Sequence, residues 1–192
     1  MALERTLVIF KPDAIERKLV SEIVYRFVAA GMRIVAMKAS IFATEENLNR
    51  HFPSTKQWII DMGKRARERV RKEKGKDPTQ CFGVENDYET GKIIRQGCRE
   101  YYLLGPLCAF VFEGEDAVSR VRQLIGGALP SMAKKGTIRG DLGITEDPDS
   151  IAATRNLVHA SDSVDEATRE ISAWFTEEDF RKEKEELRKI TT

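Results

Sequence analysis

Thr6-Leu7-Val8-Ile9-Phe10-Lys11-Pro12-Asp13 is the stretch that decides the fold. An unbroken apolar run rich in strand formers stops at a lysine. It then turns at a proline, which has no N–H with which to extend a ladder. The run reads as a buried strand ending in a turn. Beyond it Val20, Ile23, Val24, Phe27 and Val28 recur at helical spacing as far as Gly31, a residue suited to a helix C-cap. Arg33 to Phe42 is a second strand, with Ile34, Val35, Met37, Ile41 and Phe42 as its apolar members. Thr44-Glu45-Glu46 opens a short helix directed toward His51-Phe52.

The pattern is interrupted after Pro53 and resumes at Tyr101. Leu107-Cys108-Ala109-Phe110-Val111-Phe112 reads as a central strand. Ala117, Val118, Val121, Leu124 and Ile125 form the buried side of a helix that ends at Gly126-Gly127. Pro130 to Ala153 is loop-like, and Asn156-Leu157-Val158-His159 is a short strand. Ser163-Val164-Asp165-Glu166 fits a capping box before a helix that carries Ala167, Ile171 and Trp174. Thr176 to Ile190 is a charged helix expected on the outside. This order predicts an α+β domain, ferredoxin-like (βαββαβ), with an antiparallel four-stranded sheet covered by helices. The order of the strands within the sheet is left open.

Residues 1–192 are expected to form a single domain, with 53–97 as an insertion: one charged helix, then a mobile connection punctuated by Gly75, Asp77-Pro78 and Gly83. Lys64, Arg65, Arg67, Arg69, Arg71 and Lys72 fall in that helix. They read as a solvated face, with a basic surface for nucleic acid or an acidic partner as the alternative.

Composition narrows the class of function. Lysines and arginines number 32 against 31 acidic residues, so the formal charge is only +1 and gives no global reason to seek nucleic acid or an anionic membrane. The 3 cysteines lack the paired spacing of a zinc site, so reduced thiols are expected and a protein-held metal is not. The N-terminus reads as lacking a cleavable signal, and no apolar run approaches a membrane span. The chain is expected to be soluble and cytoplasmic.

No GxxxxGK[ST], strand-linked GxGxxG, HRD or DFG sequence occurs, which removes the P-loop, Rossmann and protein-kinase readings. His159 is one of 2 histidines and ends a short strand ahead of a capped helix. A neutral imidazole is a competent nucleophile if one ring nitrogen is free and the other is hydrogen-bonded. Glu170, two helical turns beyond Ser163, is positioned to orient the ring, and Ser161 to bridge the two. A lone histidine is more often structural. Arg139 between Gly136 and Gly140, Arg122 on the neighbouring helix and Lys11 at the strand end shift the balance, because phosphoryl transfer is mostly positioning and charge stabilisation.

Three separated segments then carry a resemblance. Glu4 to Asp13, Gly136-Thr137-Ile138-Arg139-Gly140-Asp141 and Asn156-Leu157-Val158-His159-Ala160-Ser161-Asp162-Ser163 resemble, in order, the opening strand, phosphate loop and histidine signature of nucleoside diphosphate kinases. Glu170-Ile171 through Trp174-Phe175 continue the match, and the resemblance covers about 4–52 and 97–180. It implies ping-pong transfer of a terminal phosphate from a nucleoside triphosphate to a nucleoside diphosphate through phosphohistidine at His159. Glu170 and Ser161 would hold the ring. Lys11 and Asn156 would contact the ribose, with Lys11 also near the transferred phosphate, and Arg122 and Arg139 would bind phosphates. Mg2+ would arrive bound to the nucleotide, and the chain would assemble as a homo-oligomer, a hexamer or a tetramer of dimers.

The sequence departs from that pattern in four places. Phe52 stands where a tyrosine is usual, Ala128 where a threonine would contact phosphate, and Ile94 where an aromatic would stack on the base. The loop from Asp141 to Arg155 is longer. Phe82 and Tyr88 are the candidate replacements for the missing aromatic.

Overall fold

The computed structural model describes residues 2–144 and 155–180, without the side chains of 73 and 74. Four antiparallel strands, β1 (Leu3–Phe10), β2 (Arg33–Ile41), β3 (Leu107–Glu115) and β4 (Val158–Ala160), pair in the order β2-β3-β1-β4. This is the ferredoxin-like sheet, and the strand order open in the sequence is now defined. Helices α1 (Pro12–Glu16) and α2 (Val20–Ala29) link β1 to β2. Between β2 and β3 run α3 (Glu45–His51), α4 (Lys56–Arg69), α5 (Pro78–Phe82) and α6 (Asp87–Leu103). Helices α7 (Ala117–Ile125) and α8 (Ile138–Leu142) precede β4, and α9 (Val164–Trp174) follows it.

The unbroken apolar run of β1 has a direct cause: both faces of the sheet are covered. Val8 and Phe10 join Ile23 and Phe27 of α2 and Val121 of α7 in one core. Leu7 and Ile9 point the other way, into a core with Leu48 of α3, Tyr102 of α6 and Trp174 of α9. A central strand buried on both sides has no polar face to alternate with. Ser163 caps α9 by accepting from the Glu166 N–H, but the Glu166 carboxylate pairs with Arg169, so only half of the expected box forms; the reciprocal box is at Thr44 and Asn47.

Three expectations are corrected. The segment after Pro53 is not one helix and a mobile connection. It holds α4, a π-helical turn (Val70–Lys74), α5 and α6, around a small core of Ala66, Val70 and Phe82. The phosphate loop read at 136–141 is in fact a helix from Ile138, with the Thr137 side chain accepting from the Gly140 N–H. The basic run is not one solvated face, as described below. Most of the long loop over 141–155 and the charged helix beyond residue 180 lie outside the described residues. Among the described residues no helix is long and apolar enough to cross a membrane.

Helices α4 and α6 pack backbone to backbone through two glycines. A Cβ on Gly63 would stand 1.8 Å from the Asp87 carbonyl oxygen, and one on Gly91 would stand 1.9 Å from that of Ile59. Gly91→Ala should therefore force the helices apart and destabilise the protein by roughly 1–3 kcal/mol, the usual cost of overpacking. Gly97→Ala, on the same helix with open space around it, should be neutral or slightly stabilising. Urea denaturation of the two variants checks the contrast.

Candidate active site

The site is assembled where β4 meets the end of β1. Val8, Ile9 and Phe10 pair with Ala160, His159 and Val158. Past the last pair the chains are clasped by side chain and backbone together. The Lys11 N–H donates to the Leu157 carbonyl at 2.9 Å, and the Leu157 N–H donates to Asp13 Oδ2 at 3.0 Å. Leu157 is held in the left-handed region, with φ 72°, an uncommon conformation for a bulky residue, and its side chain is fully buried. This is the physical role of the Lys-Pro-Asp turn. It fixes the strand that carries His159.

The His159 Nε2–H donates to Glu170 Oε2 at 2.9 Å, and the Ser161 hydroxyl donates to the same oxygen at 2.6 Å. Ser161 therefore does not bridge the histidine and the carboxylate; it shares the oxygen with the ring. With Nε2 engaged as donor, Nδ1 carries the lone pair and has no hydrogen-bond partner among the described residues. Glu170 is buried, which raises its pKa. The positive charge available to His159 and His51 and the two hydrogen bonds outweigh burial and bring the carboxyl down to about 2.

His51 was not singled out from sequence as a site residue, yet it adjoins the His159 ring. It is fully buried and lies edge-on to His159, with centroids 4.6 Å apart. Its Nδ1 accepts from Trp174 Nε1–H at 3.3 Å. Burial, only partly countered by Glu170, lowers its pKa to about 3, so it stays neutral.

A cleft of about 740 Å³ opens in front of His159. Lys11, Phe52, Ile94, Arg122, Ala128, Arg139 and Asn156 all line it. Lys11 Nζ donates to Asn156 Oδ1 at 2.7 Å, and the Asn156 amide donates to the Ala128 carbonyl at 2.8 Å. Burial is the main reason that the Lys11 pKa falls to about 8, and nearby Arg139 adds to it. Arg139 is committed to the frame, donating to the carbonyls of Asn156, Gly126, Gly127 and Val158. Burial, then Arg69 and Arg122, lower its pKa to about 10. Arg122 pairs with Asp162 at the exposed rim.

Aromatic lining comes from a residue that sequence reasoning missed. Ile94 packs against the core of the inserted helices and has no flat face to offer. Phe82 is buried in that same core, and Tyr88 lies under Lys92; neither lines the cleft. Trp58 on α4 does, beside Phe52 at a centroid separation of 6.4 Å. The basic run divides three ways. Arg67 is buried and bonded to the Val84 carbonyl and the Thr79 and Thr90 hydroxyls, Arg65 and Arg69 line the cleft, and Lys64 is exposed.

A ferredoxin-like sheet presenting a carboxylate-oriented histidine in a cationic cleft defines a histidine-centred, anion-handling α+β domain. A family model described as Nucleoside diphosphate kinase matches residues 4–59 and 88–180. A nucleoside diphosphate kinase of Pyrobaculum aerophilum is 43% identical over 183 residues, 93% of this chain and 98% of that protein. One from Synechocystis is 32% identical, covering 92% of this chain and 91% of that one. The crystal structure of the Pyrobaculum aerophilum NDP kinase superposes with a TM-score of 0.81 at 42% identity, over 93% of this chain and 99% of that one. The Borrelia burgdorferi enzyme, a transition-state mimic with bound vanadate and ADP, gives a TM-score of 0.69 at 27% identity, covering 92% and 89%. The chain belongs to the nucleoside diphosphate kinase family.

The two shifted groups beside His159 contribute to the acid limb of stability. With a folded pKa of about 3, His51 is protonated in the unfolded chain well before it is in the fold. Stability is therefore lost as the pH falls from about 6.5. Glu170, folded at about 2, adds to the loss once the pH passes below its ordinary value of 4.5. Urea denaturation across pH 7 to 4 should show a decline of up to about 1.4 kcal/mol per pH unit for each such proton. His51→Gln should flatten the upper part of that limb.

Proposed function

We propose that this chain acts as a nucleoside diphosphate kinase through phosphohistidine at His159, by a ping-pong route. The observation that carries the reading is the His159–Glu170 bond, which leaves the Nδ1 lone pair free on a ring that lines the cleft. In the first half-reaction Nδ1 attacks the terminal phosphorus of a nucleoside triphosphate. The N–P bond forms, the bond to the bridging oxygen breaks, and a nucleoside diphosphate leaves with those electrons. No proton has to leave Nδ1. The ring gains positive charge, and the Glu170 carboxylate stabilises it. A second nucleoside diphosphate then attacks the phosphohistidine in the reverse sense.

Lys11 and Asn156 would meet the ribose, with Lys11 also near the moving phosphate. Arg122 would exchange Asp162 for a phosphate. Arg139 supports the phosphate wall by holding the carbonyls of 126, 127, 156 and 158. The base would stack on Trp58. Magnesium fits this cleft as a companion of the phosphates rather than as a protein-held ion. Asp61 is bonded to Gln57, Asp162 to Arg122, Glu166 to Arg169, and Glu170 to His159 and Ser161. When bound, the ion would neutralise phosphate charge.

A cytoplasmic homo-oligomer, a hexamer or a tetramer of dimers, completes the reading. Exposed Tyr25 and Val28 on α2 and Met37 on edge strand β2 are available for contacts between copies. Sizing by light scattering checks it.

The enzyme incubated with γ-labelled ATP should carry an acid-labile, base-stable label, and should convert GDP to GTP. His159→Ala should lose the label and at least about a thousandfold in rate, the scale set by removing a nucleophile. Nucleotide binding with no GTP formed would overturn the reading. Trp58→Ala should raise KM for nucleotides about tenfold, in line with the value of a base–aromatic stack, with little change in kcat.

A further inference from the structure

We propose that Arg69 on α4, with Arg65 one turn before it, binds the phosphate chain of the nucleotide. The inference rests on the nucleotide-cleft reading above and extends it to a segment, 60–87, that the family model leaves unmatched.

Arg65 and Arg69 are spaced i, i+4, so they project from one stripe of α4. Asp61, Met62 and Ala66 of the same stripe also line the cleft. Two constraints prevent the helix from turning that stripe away. The Gly63–Gly91 contact brings α4 directly against the backbone of α6. On its far side Arg67 is anchored inward by the Val84 carbonyl, by Thr79 and Thr90, and by an ion pair with Asp87. Rotation of α4 would break that network and bury an unpaired guanidinium.

The partners of the neighbouring cations mark Arg69 out. Arg122 has Asp162, and Arg139 has its carbonyls. Arg69 is half-buried, and among the described residues it has neither a hydrogen bond nor a carboxylate partner. It stands close enough to Lys11 and Arg139 to disfavour the charged form of both. Arg69 repelling two buried cations along the wall of a concave site raises the energy of the ligand-free cleft, and an anion of several charges relieves it. Phe52 and Ala128 offer the phosphates no side-chain donor where they line the wall, and Nε, Nη1 and Nη2 of Arg139 already donate to carbonyls. A nucleoside di- or triphosphate supplies anionic oxygens that the guanidinium of Arg69 suits, and a nucleoside without phosphate supplies none.

Calorimetric titration of ADP and of adenosine into Arg69→Gln, Arg69→Lys and Lys64→Gln separates phosphate binding from a structural role. Arg69→Gln should weaken ADP about tenfold, one charge-assisted contact's worth, and leave adenosine unchanged. The same variant should melt at a higher temperature than the parent without nucleotide, because a repelling charge has gone. Arg69→Lys should recover most of the ADP affinity. Lys64→Gln removes equal charge from the solvent side of α4 and should change neither ligand. Arg65→Gln, at an exposed position, should weaken ADP by a smaller factor.

Unchanged ADP affinity in Arg69→Gln would overturn the proposal. So would equal weakening of ADP and adenosine, or a lower melting temperature accompanying the loss. Failure of the parent enzyme to label at His159 would instead overturn the reading on which the proposal rests. A parent that labels, with an Arg69→Gln variant that binds ADP as the parent does, would remove the proposal alone.

Discussion

The clasp between Lys11, Asp13 and Leu157 holds everything else at the site in register. β4 is only 3 residues long and is an edge strand, so its ladder alone is a weak anchor. The two bonds to Leu157 extend it and set the backbone at a left-handed residue whose conformation costs about 1–3 kcal/mol and is over-determined by its surroundings. Asn156 and His159 flank that point. The positions of the amide that meets Lys11 and of the ring that meets Glu170 are therefore set by one local contact at the end of the central strand. The adjacent lysine is carried by the same turn, which is how a single tripeptide can both frame the site and contribute to it.

Glu170 remains ionised inside the fold because it has more hydrogen-bond and cationic support than burial can offset. Its two oxygens face the two histidines, with the hydrogen bond going to His159. Elsewhere the cleft is cationic: burial first, and then the charge of nearby arginines, Arg69 among them, lowers the pKa of both Lys11 and Arg139. The two halves of the site thus have opposite electrostatic character. One side is satisfied and rigid and fixes the orientation of the His159 ring; the other is incompletely neutralised until an anion enters. Preorganised charge of this kind acts at the moment of reaction without the reorganisation that water would need.

The inserted helices are attached to this arrangement by packing rather than by chemistry. The glycine-mediated approach of α4 to α6 and the buried Arg67 network fix the rotation of α4. Trp58, Arg65 and Arg69 reach the cleft only because of that rotation. A segment with few apolar positions still adopts a defined orientation, since close backbone contact and a satisfied buried guanidinium replace a large core.

Much of this was legible in sequence where the signal is local. The apolar run of β1, the run of β3, the Ser163 cap and the spacing from Ser163 to Glu170 all follow from short-range periodicity and capping chemistry, and they suffice for a ferredoxin-like domain with His159 beside a carboxylate. The residues that needed tertiary structure are those whose role depends on which way an element is turned. Arg65, Arg67 and Arg69 look alike in sequence and separate into cleft, core and cleft only when α4 is rotated against α6. His51 and Trp58 carry no motif of their own, and become part of the site through contacts with residues more than a hundred positions away or across the cleft. Arg139 sits in a glycine-flanked segment that suggests a loop, but long-range bonds to four carbonyls make it a strut. By itself the sequence determined the four strands, the helices that flank them and the place of His159 at a strand end ahead of a capped helix, because those depend on neighbours along the chain. The tertiary structure alone decided which cations face the nucleotide cleft, because that depends on how two helices meet.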